Sequence, residues 1–269
     1  MTIEEKLRRV RDDLDRMYNA GADIGYNTGY NHGKTAGVEE GITEGRTEQY
    51  NENWDAVQAN GTRVAWQYGF YNWNIVGPLR PKHKISPIGA ITQMFINNYN
   101  MTTVSNWGFP TSGVTSCQSV LAYCYSFLGF VDENGEIIKG KPFFGNSVTD
   151  YRSAFLNNES IEYICIDLTS VNNLYTNAFQ NCFELKHMDI AGGTIESNGF
   201  SVKWSTQMDK ESLEGIVNSA STEKSISITL SLTAVKREFE TSAGANDGNT
   251  SQEWKDLVAT RPTVTFALA

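Results

Sequence analysis

Histidine is scarce in this 269-residue chain: His32, His83 and His187 lie far apart, in an N-terminal stem, a basic linker and a repeat. No two of them have a metal-ligand spacing, and none sits beside a nucleophile that it would serve as base. A G-x-S-x-G elbow, a phosphate-cradling loop and a G-x-G-x-x-G turn after a strand are also missing. These absences predict a protein that is not an enzyme and uses no metal or cofactor. A carboxylate pair for glycoside hydrolysis leaves no sequence signature, because its spacing is spatial.

Positive charge is the second shortage. Lysine and arginine number 22 against 31 aspartates and glutamates, a net charge of -9. Phosphate binding needs a cationic surplus on some face, so nucleic acid is not an expected partner. The run Arg80-Pro81-Lys82-His83-Lys84 is short and reads as a solvated linker.

Long apolar runs are lacking too. None approaches the roughly 20 residues of a membrane span, so no membrane insertion is expected. The charged start Met1-Thr2-Ile3-Glu4-Glu5-Lys6-Leu7-Arg8-Arg9 predicts the absence of a signal peptide and synthesis in a cytoplasm. The four cysteines, Cys117, Cys124, Cys165 and Cys182, lack paired C-x-x-C spacing and lie in hydrophobic or repeat-like stretches, where they are expected as reduced core residues.

What is present begins with a stem. Ile3, Leu7, Val10, Leu14 and Met17 alternate in steps of four and three, the seam of a left-handed coiled coil. Then come Gly21, Gly25, Gly29, Gly33, Gly37, Gly41 and Gly45, seven glycines spaced by four. In an isolated helix they cost roughly 6 kcal/mol against alanine, so an offsetting contact is required. Small residues four apart let a second helix approach closely, which predicts self-association. Such a stripe advances about 40° per glycine around the helix, so the packing after Gly21 is expected to turn right-handed. The intervening triplets, such as Val38-Glu39-Glu40 and Ile42-Thr43-Glu44, contain no proline and favour a helix over a flexible linker. Their charges exclude a membrane reading of the glycine spacing.

The stem runs into Tyr50-Asn51-Glu52-Asn53-Trp54, a stop at Asn60-Gly61, and an aromatic run from Val64 to Trp73. Trp66, Tyr68, Tyr71 and Trp73 either form a packed collar between stem and domain or present flat rings to a sugar ligand.

An internal repeat follows. Ala154-Phe155-Leu156-Asn157 recurs as Ala178-Phe179-Gln180-Asn181, and Ile161, Ile164 and Ile166 recur as Leu185, Met188 and Ile190, all at an offset of 24. Looser copies start near Met94 and Ala122. The alternating residues predict one strand per repeat with one face buried. The Ala-Phe-x-Asn segment predicts a turn on the opposite wall, phenylalanine inside and asparagine satisfying local backbone groups. Such units bury their apolar faces only by stacking into a solenoid.

The unit Ala178-Phe179-Gln180-Asn181-Cys182-Phe183-Glu184-Leu185-Lys186-His187-Met188-Asp189-Ile190 resembles a BspA-type leucine-rich repeat. The copy at 154 carries Asn158 where this unit has Cys182. A cap is expected after residue 200. It comprises a helix begun by Asp209, the strand Ile226–Leu230, a helix carrying Ala234, Val235 and Phe239, a helix opened by a capping box at Thr250 and Glu253, and a strand from Thr263 to Leu268. The acidic turns Asp132–Glu136 and Asn246–Asn249 read as loop tips rather than calcium sites.

The glycine ladder running into Tyr50–Trp54, together with Ala243-Asn246-Asp247-Gly248 through Ser251-x-x-Trp254, resembles tail-region proteins of phages and prophages of gut Firmicutes. That resemblance implies a virion tail fibre or baseplate part. Its expected partners are further copies of itself (a trimer), other tail or baseplate proteins, and a bacterial surface glycan or protein. A bacterial BspA-like adhesin is the alternative.

The expected fold class is therefore α+β: an oligomerising glycine-repeat coiled-coil helix over 1–53, an aromatic connector over 54–90, a degenerate leucine-rich-repeat solenoid over 91–200, and a helix and strand cap over 201–269.

Overall fold

A computed structural model describes residues 70–81, 84–85, 88–108, 113–172, 175, 177–239 and 251–269. Its centre is a β-solenoid-like region of about four turns, with few helices.

The coils are held together by parallel pairing at roughly one repeat length. Strand β1 (Val76–Leu79) pairs with β3 (Asn100–Val104), and β3 pairs with β5 (Gly129–Phe130). Strand β2 (Ile88–Ala90) pairs with β4 (Gly113–Ser116), and β6 (Tyr163–Leu168) pairs with β7 (His187–Gly193). Phe70–Leu79, assigned from the sequence to the connector, thus forms the first described coil.

The turn segments form a third stacked wall. Phe70 N donates to the Met94 carbonyl, Phe95 N to Val120, Leu121 N to Ala154 and Phe155 N to Ala178, at 2.8–3.0 Å. Each segment carries left-handed residues that let the backbone turn within a single coil. Asn72, Asn97, Tyr123, Asn157 and Asn181 all have φ between 53° and 63°. Only asparagine is at ease in this conformation among them, which is why the copy containing Tyr123 is faint in the sequence.

Two residues before each left-handed site stands a buried apolar side chain: Phe70, Phe95, Leu121, Phe155 and Phe179. Phe70 stacks on Phe95 with centroids 5.1 Å apart, and Phe155 on Phe179 at 5.8 Å. Burying such rings is a main driving force for stacking the coils. The asparagines act differently from expectation. Asn181 Nδ2 donates 2.6 Å to Asn157 Oδ1, so these side chains bond from coil to coil.

The spacing from Tyr123 to Asn157 is 34 residues, against 24–26 elsewhere in this series. The surplus of 8–10 residues falls within 131–146, an insert lodged between β5 and β6. It opens with a tight loop in which Val131 bridges Ile137 and Asp132 accepts from the amides of Asn134 and Glu136. It closes with Phe143, whose N–H donates 3.0 Å to the Cys165 carbonyl. The insert explains a departure from the expected one-sided strand. Tyr163 and Cys165, on the outward face of β6, are buried together with the inward Ile164 and Ile166.

Helix α1 (Lys210–Asn218) follows the last repeat, with Asp209 as N-cap and Leu213, Ile216 and Val217 on its buried face, as read from the sequence. Beyond it β8 (Ile226–Leu230) pairs in parallel with β9 (Val264–Leu268), with α2 (Leu232–Phe239) and α3 (Gln252–Ala259) between them in sequence. The N-cap of α3 is Ser251, whose side chain accepts from Trp254 N; the capping residue is therefore one position later than Thr250.

Candidate functional site

Repeat register decides which side chains meet on the outer strand wall. Tyr163 of β6 is paired with His187 of β7, and Cys165 with Asp189. Residues two apart share a face, so Tyr163, His187 and Asp189 gather on the wall facing away from the core. The Tyr163 and His187 rings lie nearly parallel, 5.7 Å apart.

A chain of hydrogen bonds runs through this group. Gly140 N, in the insert, donates to the Tyr163 hydroxyl at 2.6 Å, and that hydroxyl donates to Asp189 Oδ2 at 2.5 Å. His187 Nε2 lies 3.0 Å from Asp189 Oδ1, and Nδ1 lies 2.7 Å from Asp209 Oδ2. Asp209 Oδ1 accepts from both the backbone N and the hydroxyl of Ser212, whose oxygen accepts from Met188 N. One network therefore joins the insert, both repeat strands and the first helix of the cap.

The charges respond to this wiring. Burial works against a charge on His187, yet its hydrogen bonds to Asp209 and Asp189 outweigh burial and raise its pKa above the ordinary histidine value. Burial also pushes Asp209 upward, but Ser212 and His187 hold it below the ordinary carboxylate value. Burial, and the hydroxyl's bond to Asp189, raise Tyr163 well above an ordinary phenol, so it serves as a neutral donor.

The network floors a cleft of about 830 Å³, within the size range of small-ligand sites. Glu136, Ile137 and Lys139 of the insert form one side, while Leu128, Glu162, Lys186 and Glu211 complete the rim. Lys186 pairs with Glu162 at 2.6 Å, and Lys139 stands 5.8 Å from the Tyr163 ring.

Next to the cleft, three residues back along the repeat, the corner of the solenoid carries aromatic side chains. Tyr99 and Tyr125 occupy matching positions on successive coils, 43% and 36% exposed. Their rings stack at 5.5 Å, and Tyr123 meets Tyr125 edge-on at 6.4 Å. Leu128, also 43% exposed, follows Tyr125 by three residues and lines the cleft.

Of the residues singled out in the connector, Tyr71 is 39% exposed and Trp73 packs edge-on against Phe70 at 4.8 Å. The structure thus separates them into one exposed ring and one ring packed on the core. Trp66, Tyr68 and the stem positions Leu7, Val10, Leu14, Met17, Gly21, Gly25, Gly29, Gly33, Gly37, Gly41 and Gly45 lie outside the described residues. His187, passed over in the sequence as neither ligand nor base, is the centre of the network. The one available signal was the offset of 24, which sets it beside Tyr163.

Among the described residues no group of histidine, cysteine and carboxylate side chains is arranged to hold a metal, and no helix is long and apolar enough to cross a membrane. Comparison with family models, with curated proteins and with solved structures finds no match.

Proposed function

We propose that this chain is a recognition protein of a phage tail fibre or baseplate, whose repeat domain binds a bacterial surface ligand without cleaving it. The observation that carries the binding reading is an exposed aromatic stack, Tyr99 on Tyr125, three residues in sequence before Leu128, which is itself exposed and lines the cleft above His187. Rigid aromatic side chains next to a polar cleft suit a ligand that is partly apolar and rich in hydroxyl or amide groups. Tyr125 supports this chemistry: burial and its neighbours Tyr99, Glu159 and Tyr123 raise its pKa, so it remains a hydrogen-bond donor at neutral pH.

The glycine-ladder stem supports display in several copies, in which weak individual sites act together. A trimer is the assembly most in keeping with a fibre. The tail assignment itself draws on the sequence resemblance.

The test is incubation of the full chain with purified cell walls of candidate Gram-positive hosts. Retention of the protein without release of soluble sugar, weakened when Tyr99 and Tyr125 are both replaced by alanine, is the expected result. Release of sugar fragments would replace binding by hydrolysis. Retention that the double variant leaves unchanged would move the site away from this surface.

A further inference from the structure

A neutral imidazole has one N–H, but His187 places both ring nitrogens against carboxylates, Asp189 at 3.0 Å and Asp209 at 2.7 Å. Both contacts are hydrogen bonds only when the ring carries two protons. We propose that His187 is a proton-operated latch on the cleft: its charged form ties the cap to the repeats and holds the insert in place, and loss of its proton loosens the insert side. The cleft's role in ligand binding is the reading given above, and the gating of binding rests on it.

The geometry gives the latch its direction. Asp209 is fixed from its other oxygen by the Ser212 amide and hydroxyl at 2.9 and 2.6 Å, as the N-cap of α1. The shorter contact, at Nδ1, is the one that a single remaining proton keeps. The Nε2 lone pair then faces Asp189 Oδ1, and two acceptors at that distance repel. Asp189 is held on its other side by Tyr163, and Tyr163 by the amide of Gly140. Displacing Asp189 therefore propagates toward Lys139, Ile137 and Glu136, which form the insert side of the cleft.

The other groups around the ring do not replace this control. Lys186 is engaged by Glu162, Lys139 lies over Tyr163, and Glu136 and Glu211 stand at the rim. Tyr163 remains protonated far above neutrality. Histidine is the group in this set that changes charge near neutral pH, and its raised pKa places the change above the ordinary value of about 6.5.

The experiment is amide hydrogen exchange on the full chain at about pH 5.5 and about pH 8.5, corrected for intrinsic exchange, spanning the histidine range. Protection of Gly140 should fall about tenfold or more from the lower to the higher pH, while Ser212, capped by Asp209, changes less. His187→Gln should abolish the difference between the two conditions. Asp189→Asn, which removes the carboxylate demanding the second proton, should also flatten it while keeping the fold, so that misfolding of one variant leaves the other informative. Equal protection of Gly140 at both pH values in the wild type would overturn the latch, as would an unchanged profile in a folded His187→Gln chain.

Retention on cell walls is measured at the same two pH values. Loss of retention at the higher pH supports gating, and retention that ignores pH while Gly140 responds overturns gating. Absence of retention at either pH, with Gly140 still responding, removes the recognition reading and leaves the latch in place.

Discussion

Asn158 stands one coil before Cys182 and makes the same contact. Its Nδ2 donates 2.6 Å to the Leu121 carbonyl, as Cys182 Sγ donates 3.2 Å to the Phe155 carbonyl. The pattern extends backward: Cys124 Sγ donates 3.1 Å to Phe95, and Asn98 Nδ2 donates 2.7 Å to Phe70. Cysteine and asparagine share one buried task, which is to satisfy the backbone carbonyl of the apolar residue in the preceding coil.

Exchange between the two residue types follows from this equivalence. Asn158→Cys should leave the urea midpoint within about 1 kcal/mol of wild type, because it keeps a donor and removes Asn158 Oδ1, a buried oxygen without a partner among the described residues. Asn158→Ala, which leaves the Leu121 carbonyl with only the Cys124 amide at 3.3 Å, should cost about 0.5–1.5 kcal/mol in the same measurement.

The same ladder bears on thiol chemistry. Burial pushes Cys124, Cys165 and Cys182 up to about 12, and burial with the nearby Asp150 charge raises Cys117 as well. The thiolate is the reactive form. Iodoacetamide at about pH 8, near the ordinary thiol pKa, should therefore label none of the four in the folded chain and all four in denaturant, counted by mass.

Phe155 tests the apolar stack. It is fully buried, between Phe143 and Phe144 of the insert and Phe179 of the next coil. Phe155→Ala should destabilise by about 3–5 kcal/mol in denaturant titration. Coils in a solenoid stabilise their neighbours, so the loss should broaden or split the transition rather than only shift it.

Gly193 closes the β6–β7 pair at φ +76°, and a Cβ there would lie 2.3 Å from both the Leu168 carbonyl carbon and the Thr169 nitrogen. Backbone atoms cannot yield as a flexible side-chain tip does. Gly193→Ala should cost more than about 2 kcal/mol and raise exchange of the Thr169 amide.

The pH dependence of stability has a definite sign. The His187 pKa is raised on folding, so its contribution is fully present below about pH 6.5 and lost as pH rises through the folded value. Melting temperature should decline across that window in the wild type, and His187→Gln should lack this component of the decline.

The solenoid was legible where residue type and backbone need coincide. Asn157 and Asn181 announce the left-handed turns, Phe155 and Phe179 the core, and Ile164 with Ile166 the strand. The earlier coils were faint because Gln93, Ser119 and Tyr123 adopt the same positive φ without advertising it. Stacking on both sides imposes that conformation on them. The cap was readable nearly element by element, since its helices and strands are amphipathic in the ordinary way. The cleft was not readable. Its network draws Gly140, Tyr163, His187 and Asp209 from four segments, and Asp209 carries a helix-cap signal that conceals its second contact. The stack of Tyr99 and Tyr125 required knowing that these residues sit on neighbouring coils at a spacing of 26, which the insert-shifted and degenerate repeats obscure.

The insert between β5 and β6 also sets what can vary. The turn wall stays continuous past it, with Leu121 N bonded to Ala154 O and Tyr123 N to Leu156 O, so the coils remain joined even though the strand wall is interrupted. The loop tip from Asp132 to Glu136 therefore forms an exchangeable lip, anchored by Ile137 on the core and by the Ile138 amide on the Phe130 carbonyl. Lengthening or recoding it would redraw one side of the cleft while Phe143 and Phe144 keep their places in the core, so the shape of the cleft and the stability of the scaffold are separable.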